Sequence, residues 1–148
     1  MYFDLSKCVN YITEGTTKQI SEQFGKWLEG YDITRIQWMA LYFVHTEGTI
    51  SQRTFSQLMR INDSSGMRLI QRMERDGLLV RERNEVDRRI ININLTDKGN
   101  KLITKLMPLG LEFSKLLTNG VTDEEFIIFQ KVLDKMLINV LSDDRSKV

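Results

Sequence analysis

The chain has 148 residues, 41% of them hydrophobic, with Lys plus Arg 21, Asp plus Glu 20 and one His, a formal net charge of +1. That length suits one domain, and that apolar content excludes disorder as the main state. No apolar run nears the roughly 20 residues of a bilayer-crossing helix, and Asp4, Glu14 and Glu22 argue against a signal or transit peptide, so a cytoplasmic protein with no membrane partner is expected.

The first thirty residues predict a helix, with Leu5, Val9, Ile12, Ile20, Phe24 and Trp27 at three- and four-residue intervals, polar Thr16 interrupting, and Gly30 as a stop. Thr34 and Gln37 have capping-box spacing, and a second helix to about Thr46 turns Ile36, Met39, Ala40 and Phe43 onto one face. After a turn at Glu47, Gly48 and Thr49, Ser51 caps a short helix with Phe55 and Leu58 inward. The run Asn62, Asp63, Ser64, Ser65 then supplies a turn and a cap for a helix ending at Gly77.

In that helix Gly66, Leu69, Ile70 and Met73 share one side, while Ser64, Arg68, Gln71 and Arg75 group on the other. Leu78, Leu79, Val80, Arg81 and Arg83 read as a strand, with Ile90, Ile91, Ile93 and Leu95 as its partner. Between them Asn84 to Arg89 forms a polar hairpin that projects as a wing. Thr96 caps a long helix from Lys98 to about Thr118, which Pro108 should bend or interrupt. Past Gly120, Thr122 and Glu125 form another capping box ahead of Phe126, Phe129, Val132, Leu133, Met136 and Val140, and a polar tail starts at Asp143.

The charge is unevenly spread along these elements. Residues 51–95 hold nine of the eleven Arg and none of the ten Lys, for a net +3, and the remainder carries −2. Solubility alone would use either cation, whereas the planar guanidinium suits bidentate phosphate and base contacts. The expected fold is mainly α with a small β-hairpin: a winged helix-turn-helix plus a terminal-helix dimerisation bundle. Within one domain of residues 1–148, the DNA-binding lobe spans 34–96, and the helices of 1–30 and 98–141 join two copies. A wholly intramolecular bundle is the alternative for those ends.

With Ser64 to Asp76 in a major groove, Ser64, Ser65 or the backbone amides at its start meet a phosphate. Arg68 matches guanine O6 and N7, and Gln71 matches adenine N6 and N7. Arg72 and Arg75 suit phosphates, or pair instead with Glu74, Asp76 or the wing. Met67 borders this face, packing under the preceding helix or touching a thymine methyl.

The sequence resembles the MarR family of bacterial transcriptional regulators over nearly its whole length. The resemblance rests on Gln37-Trp38, on Leu78-Leu79-Val80-Arg81 after Gly77, and on Asp87-Arg88-Arg89 followed by Leu95-Thr96-Asp97-Lys98-Gly99. It implies a triangular homodimer on double-stranded operator DNA, commonly a repressor released by a small phenolic or amphipathic effector. On that resemblance Asp87 steadies an arginine and Arg89 approaches the minor groove, where a narrow A·T-rich groove attracts a guanidinium. For Asp87 and Arg88 the alternative is an ordinary solvated ion pair. Gly66 departs from a good helix former and is expected to loosen the first turn of the recognition helix.

The effector cleft that the resemblance implies has candidate walls in Tyr11, Trp38 and Tyr42, with Arg35 as an anion partner, although aromatics at helical spacing also serve as core. One branch of the family senses organic hydroperoxides through a cysteine in the first helix, where Cys8 stands here. The tyrosines that branch uses are missing from Thr34-Arg35-Ile36-Gln37-Trp38, but Tyr11 lies one turn beyond Cys8, and Lys7 would favour a thiolate. A small buried hydrophobe is the other role for Cys8.

One Cys and one His, His45, argue against a disulfide, a metal site or a cofactor. With neither a glycine-rich phosphate loop nor a nucleophile elbow, an enzyme is not expected. A helical protein-interaction module would explain the terminal stripes but leave the arginines and the wing without a role.

Overall fold

The computed structural model describes residues 3–143. Its helices are α1 (Val9–Leu28), α2 (Arg35–Glu47), α3 (Gln52–Met59), α4 (Asp63–Arg75), α5 (Asp97–Leu117) and α6 (Asp123–Leu141), and its strands are β1 (Ile50–Ser51), β2 (Leu79–Arg83) and β3 (Ile91–Leu95). The molecule is mainly helical with a small antiparallel sheet, as the sequence implied. The chain divides into two compact units at Leu111 and Glu112.

The amino-terminal helix starts later than its apolar spacing suggested. Leu5–Lys7 form a separate 3-10 turn that Asp4 caps by accepting from the Ser6 amide, and Leu5, Val9 and Ile12 are exposed while Phe24 and Leu28 are buried. The first two residues of the predicted helix and the polar tail beyond Asp143 lie outside the described residues.

In α2 the capping box forms as predicted, with the Gln37 amide donating to Thr34 Oγ1 and the Thr34 amide to Gln37 Oε1. The buried stripe differs from the predicted one: it is Gln37, Ala40, Leu41 and Val44, with Ile36 exposed. A glutamine occupies an inward position because its oxygen accepts from Thr34 and its nitrogen donates to Asp76, so neither buried polar atom is left without a partner.

Strand β1 was not apparent in the sequence, where two residues carry no periodicity. It pairs antiparallel with β3, Ile50 opposite Ile93, in a sheet of order β1-β3-β2. Ser51 caps α3 as predicted, accepting from the Thr54 amide. Ile90 precedes β3 and is exposed, so the predicted strand is shorter by one residue.

Of the two outcomes expected at Pro108, a bend or an interruption, the interruption does not occur: α5 runs through it. Thr96 caps it by accepting from the Gly99 amide while donating to the Gly77 carbonyl. Phe55, Leu41, Ile70, Met73, Leu79, Ile93 and Ile103 form the centre of the core, each almost wholly buried.

Helix α6 has no buried residue; Phe126, Ile127, Phe129, Leu137 and Ile138 are among its exposed side chains. Independent folding normally leaves far less apolar surface in one patch.

Candidate nucleic-acid interface

A close backbone approach sets the pairing of α3 with α4. Gly66 is buried, and a Cβ at that position would overlap the Ser56 hydroxyl. The glycine predicted to loosen α4 therefore lets the two helices touch, a packing reason that outweighs its poor propensity. The intervening turn places Arg60 in left-handed backbone with φ 54°.

The cap of α4 is Asn62, whose Oδ1 accepts from the Ser65 amide at 2.8 Å and from the Ser64 hydroxyl at 2.7 Å. Ser64 and Ser65 thus lie inside the first turn, and the Ser65 amide is already occupied. At the far end Gly77 has φ 71°, its amide donates to the Glu74 carbonyl, and the Leu78 amide donates to the Met73 carbonyl. These two bonds make a Schellman ending that sends the chain into β2.

Gly66, Leu69, Ile70 and Met73 face the core as predicted. Arg68, Gln71, Arg72 and Arg75 are exposed, and none has a side-chain hydrogen bond or ion pair among the described residues. Their predicted internal partners are taken: Glu74 binds Arg81 at 2.7 Å, and Asp76 accepts from Gln37. Met67 is 41% exposed, so it does not pack under the preceding helix in the way its border position suggested.

In the wing, Asn84 Oδ1 accepts from the Val86 and Asp87 amides, and the Ile90 amide donates to the Asp87 carbonyl. Asp87 then holds Arg89 through both carboxylate oxygens, at 3.1 and 3.2 Å, and through the Arg89 amide at 3.0 Å. Donation from the Arg89 guanidinium, then from its amide, holds the Asp87 carboxyl below the usual carboxylate value. Arg89 remains 92% exposed in this embrace. Arg88, unlike Arg89, has no ion pair with Asp87 and projects outward.

Two further arginines belong to this surface. Exposed Arg53 lines a cleft of about 410 Å3 together with Asp63 and Arg89, and exposed Arg60 stands at the α3–α4 turn. Their concentration in residues 51–95 was the signal in the sequence; their placement beside α4 was not.

The predicted effector residues separate. Trp38 and Tyr42 stack at 5.6 Å on one wall of a mostly apolar cleft of about 580 Å3, completed by Thr104, Met107, Pro108, Gly110 and Leu111. The Trp38 indole donates to the Leu106 carbonyl, and a Cβ at Gly110 would overlap its ring. Arg35 donates to the Met39 sulfur and lines a different, polar cleft with Glu14, Lys18 and Glu22. Tyr11 is exposed on α1 and lines neither. Cys8 is half-buried at the start of α1, without a hydrogen bond to Tyr11 among the described residues, and Lys7 lies 3.7 Å from Asp4. Among the described residues no helix is long and apolar enough to cross a membrane.

A family model described as MarR family matches residues 31–90. The HTH-type transcriptional regulator YsmB of Bacillus subtilis is 30% identical over 133 residues, covering 90% of this chain and 88% of that protein. The organic hydroperoxide resistance transcriptional regulator of the same organism is 26% identical over 110 residues, 72% of this chain and 75% of the relative. Among solved structures, the Staphylococcus aureus MepR–DNA complex superposes with a TM-score of 0.81 at 24% identity, covering 89% of this chain and 98% of that one. Bordetella bronchiseptica BpsR, whose DNA binding is regulated by 6-hydroxynicotinic acid, gives 0.81 at 19% identity, covering 92% and 97%.

Proposed function

The chain belongs to the MarR family of DNA-binding transcriptional regulators, and from that premise we propose that it is a homodimeric repressor that grips a two-fold symmetric operator through α4 and the wing. The observation that carries this reading is the row of exposed, unpaired Arg68, Gln71, Arg72 and Arg75 on α4 beside an outward Arg89. In this reading Arg68 and Gln71 meet base edges, while Arg72, Arg75, Arg88 and the Ser65 hydroxyl hold phosphates; Ser64 joins them by releasing the bond its hydroxyl donates to Asn62. Asp87 orients Arg89 at the minor groove, a role that the paired hydrogen bonds support.

The terminal elements join the two copies. Support comes from exposed Phe3, Leu5 and Ile12 at one end and the apolar surface of α6 at the other. Apolar area of this kind drives obligate association, which sets the spacing between two recognition helices. Release comes from a small amphipathic or phenolic effector seated against Trp38 and Tyr42, in a cleft with an apolar lining and stacked rings.

The test is selection of genomic fragments by the purified protein, followed by titration at several salt concentrations. Selective, salt-dependent duplex binding supports the reading; absence of any salt-dependent binding removes it in favour of a protein-interaction role. A second reading, oxidation of Cys8, draws support from the likeness to the organic hydroperoxide resistance regulator and from the partial exposure of Cys8. Unchanged operator affinity after peroxide treatment of the verified thiol would count decisively against it.

A further inference from the structure

Met67 stands exposed on α4 in wholly polar company. The other exposed side chains of that helix among the described residues are Asp63, Ser64, Arg68, Gln71, Arg72 and Arg75. Between residues 51 and 95 the remaining large hydrophobics exposed to solvent, among the described residues, are Val86 and Ile90, both between β2 and β3. Met67 therefore belongs to no apolar patch of the kind that a protein partner covers.

Its position is set from both sides. Gly66, the residue before it, is buried against Ser56 and seats the first turns of α4 on α3. Gln71 follows Met67 by one turn, about 40° round the helix and about 6 Å along its axis. Arg68, Gln71 and Arg75 occupy the middle of the outward face, opposite the buried Gly66, Leu69, Ile70 and Met73, and Met67 stands at its border. In a major groove a central side chain meets the hydrogen-bonding edge of a purine, whereas one at the border meets the groove wall. The 5-methyl group of a pyrimidine lies toward that wall, on the side of its own strand, and offers only apolar contact. Methionine is unbranched and polarisable, so it fits such a methyl where the packing is irregular.

The geometry points to Met67 as a reader of a pyrimidine 5-methyl group, one or two base pairs from the step that Gln71 reads, since about 6 Å spans fewer than two steps of roughly 3.4 Å. Thymine carries that methyl, and 5-methylcytosine presents the same group at the same place. The inference rests on the reading of α4 as the helix that enters the major groove. It adds a contribution to specificity that salt does not screen, and a regulatory consequence: methylating a cytosine at that step tightens the operator instead of blocking it.

The experiment uses the full-length protein and the duplex selected from genomic fragments, with each thymine of a half-site replaced in turn by deoxyuridine, which removes the methyl and keeps every hydrogen bond. One position should cost about fourfold per half-site, the worth of one buried carbon, and by the same factor at every salt concentration. Met67→Gln, of similar length but polar at its end, should bind the two duplexes alike, and Met67→Leu should keep the preference. Each comparison is made within one variant, so a general loss of stability or affinity cancels. At the same position a C·G pair carrying 5-methylcytosine should bind about fourfold more tightly than the unmethylated pair, again only with Met67 or Leu in place. A deoxyuridine penalty equal in the parent and in Met67→Gln, or no penalty at any position, overturns the assignment and leaves DNA binding by α4 intact. A penalty without any gain from 5-methylcytosine overturns the regulatory consequence. Absence of salt-dependent duplex binding by the parent overturns the proposed function and this assignment with it.

Discussion

Gln37 Nε2 donates to Asp76 Oδ2 at 3.1 Å, tying the first turn of α2 to the residue that closes α4 across 39 positions of sequence. The same side chain accepts from the Thr34 amide, so one buried amide completes a cap and anchors the end of α4. Gln37→Ala should destabilise the fold by about 1–3 kcal/mol, because Asp76 and the Thr34 amide each lose a partner. Chemical denaturation checks the stability, and operator titration should show affinity falling with it.

Gly66→Ala should destabilise by about 1–3 kcal/mol, since the added methyl meets the Ser56 hydroxyl on a packed neighbour. Pairing it with Ser56→Ala removes the overlapping atom and should recover most of the loss. Equal denaturation midpoints for the single and double variants would refute the steric account.

Arg68→Ala should weaken the selected operator more than unrelated duplex, whereas Arg72→Ala should weaken both by similar factors and reduce the salt slope by about one. Competition titrations with matched and scrambled duplexes read the difference. Parallel losses in both variants would remove the proposed division between base and phosphate contacts.

The Asp87 carboxyl lies below its ordinary value of 3.8, chiefly because it accepts from the Arg89 side chain. A lowered folded-state value means that the pairing is present above 3.8 and is lost only as pH falls through that lower folded value. Titration of Asp87 should thus contribute no pH dependence to operator affinity between about pH 6 and 8, and a carboxyl-carbon NMR titration should find its midpoint below 3.8. Asp87→Asn should lower operator affinity at every pH by freeing Arg89 from its fixed orientation.

Leu137→Asp with Ile138→Asp places two charges on exposed apolar positions of α6. In the proposed dimer this pair should shift the protein to monomer in analytical ultracentrifugation and cost the operator at least tenfold in affinity. Far-ultraviolet dichroism should stay near that of the parent, since neither side chain is buried within the chain.

Much of the wing and of α4 is legible in the sequence because local chemistry encodes it. Gly77 supplies the left-handed ending, Asp87 and Arg89 are two residues apart, and the 100° helical step separates the arginines of α4 from Leu69, Ile70 and Met73. Misreadings arose where a distant partner decided the outcome. Gln37 can lie inward because its amide reaches Asp76 at the end of α4, β1 exists because β3 offers it a ladder, and Gly66 is needed because Ser56 lies against it.

The predicted effector residues divide along the same line. Trp38 and Tyr42 are four apart on one helix, so their stacking follows from sequence, whereas the walls from Thr104 to Leu111 come from chain some sixty residues away. Sequence alone determined the family, the arginine-bearing helix and the wing, each set by neighbours within a few residues. Only the tertiary structure decided which arginines stay unpaired, that Arg35 leaves the aromatic cleft, and that Lys98 caps α4. Those outcomes depend on which distant backbone and side-chain groups compete for each donor, and that competition exists only once the elements are packed.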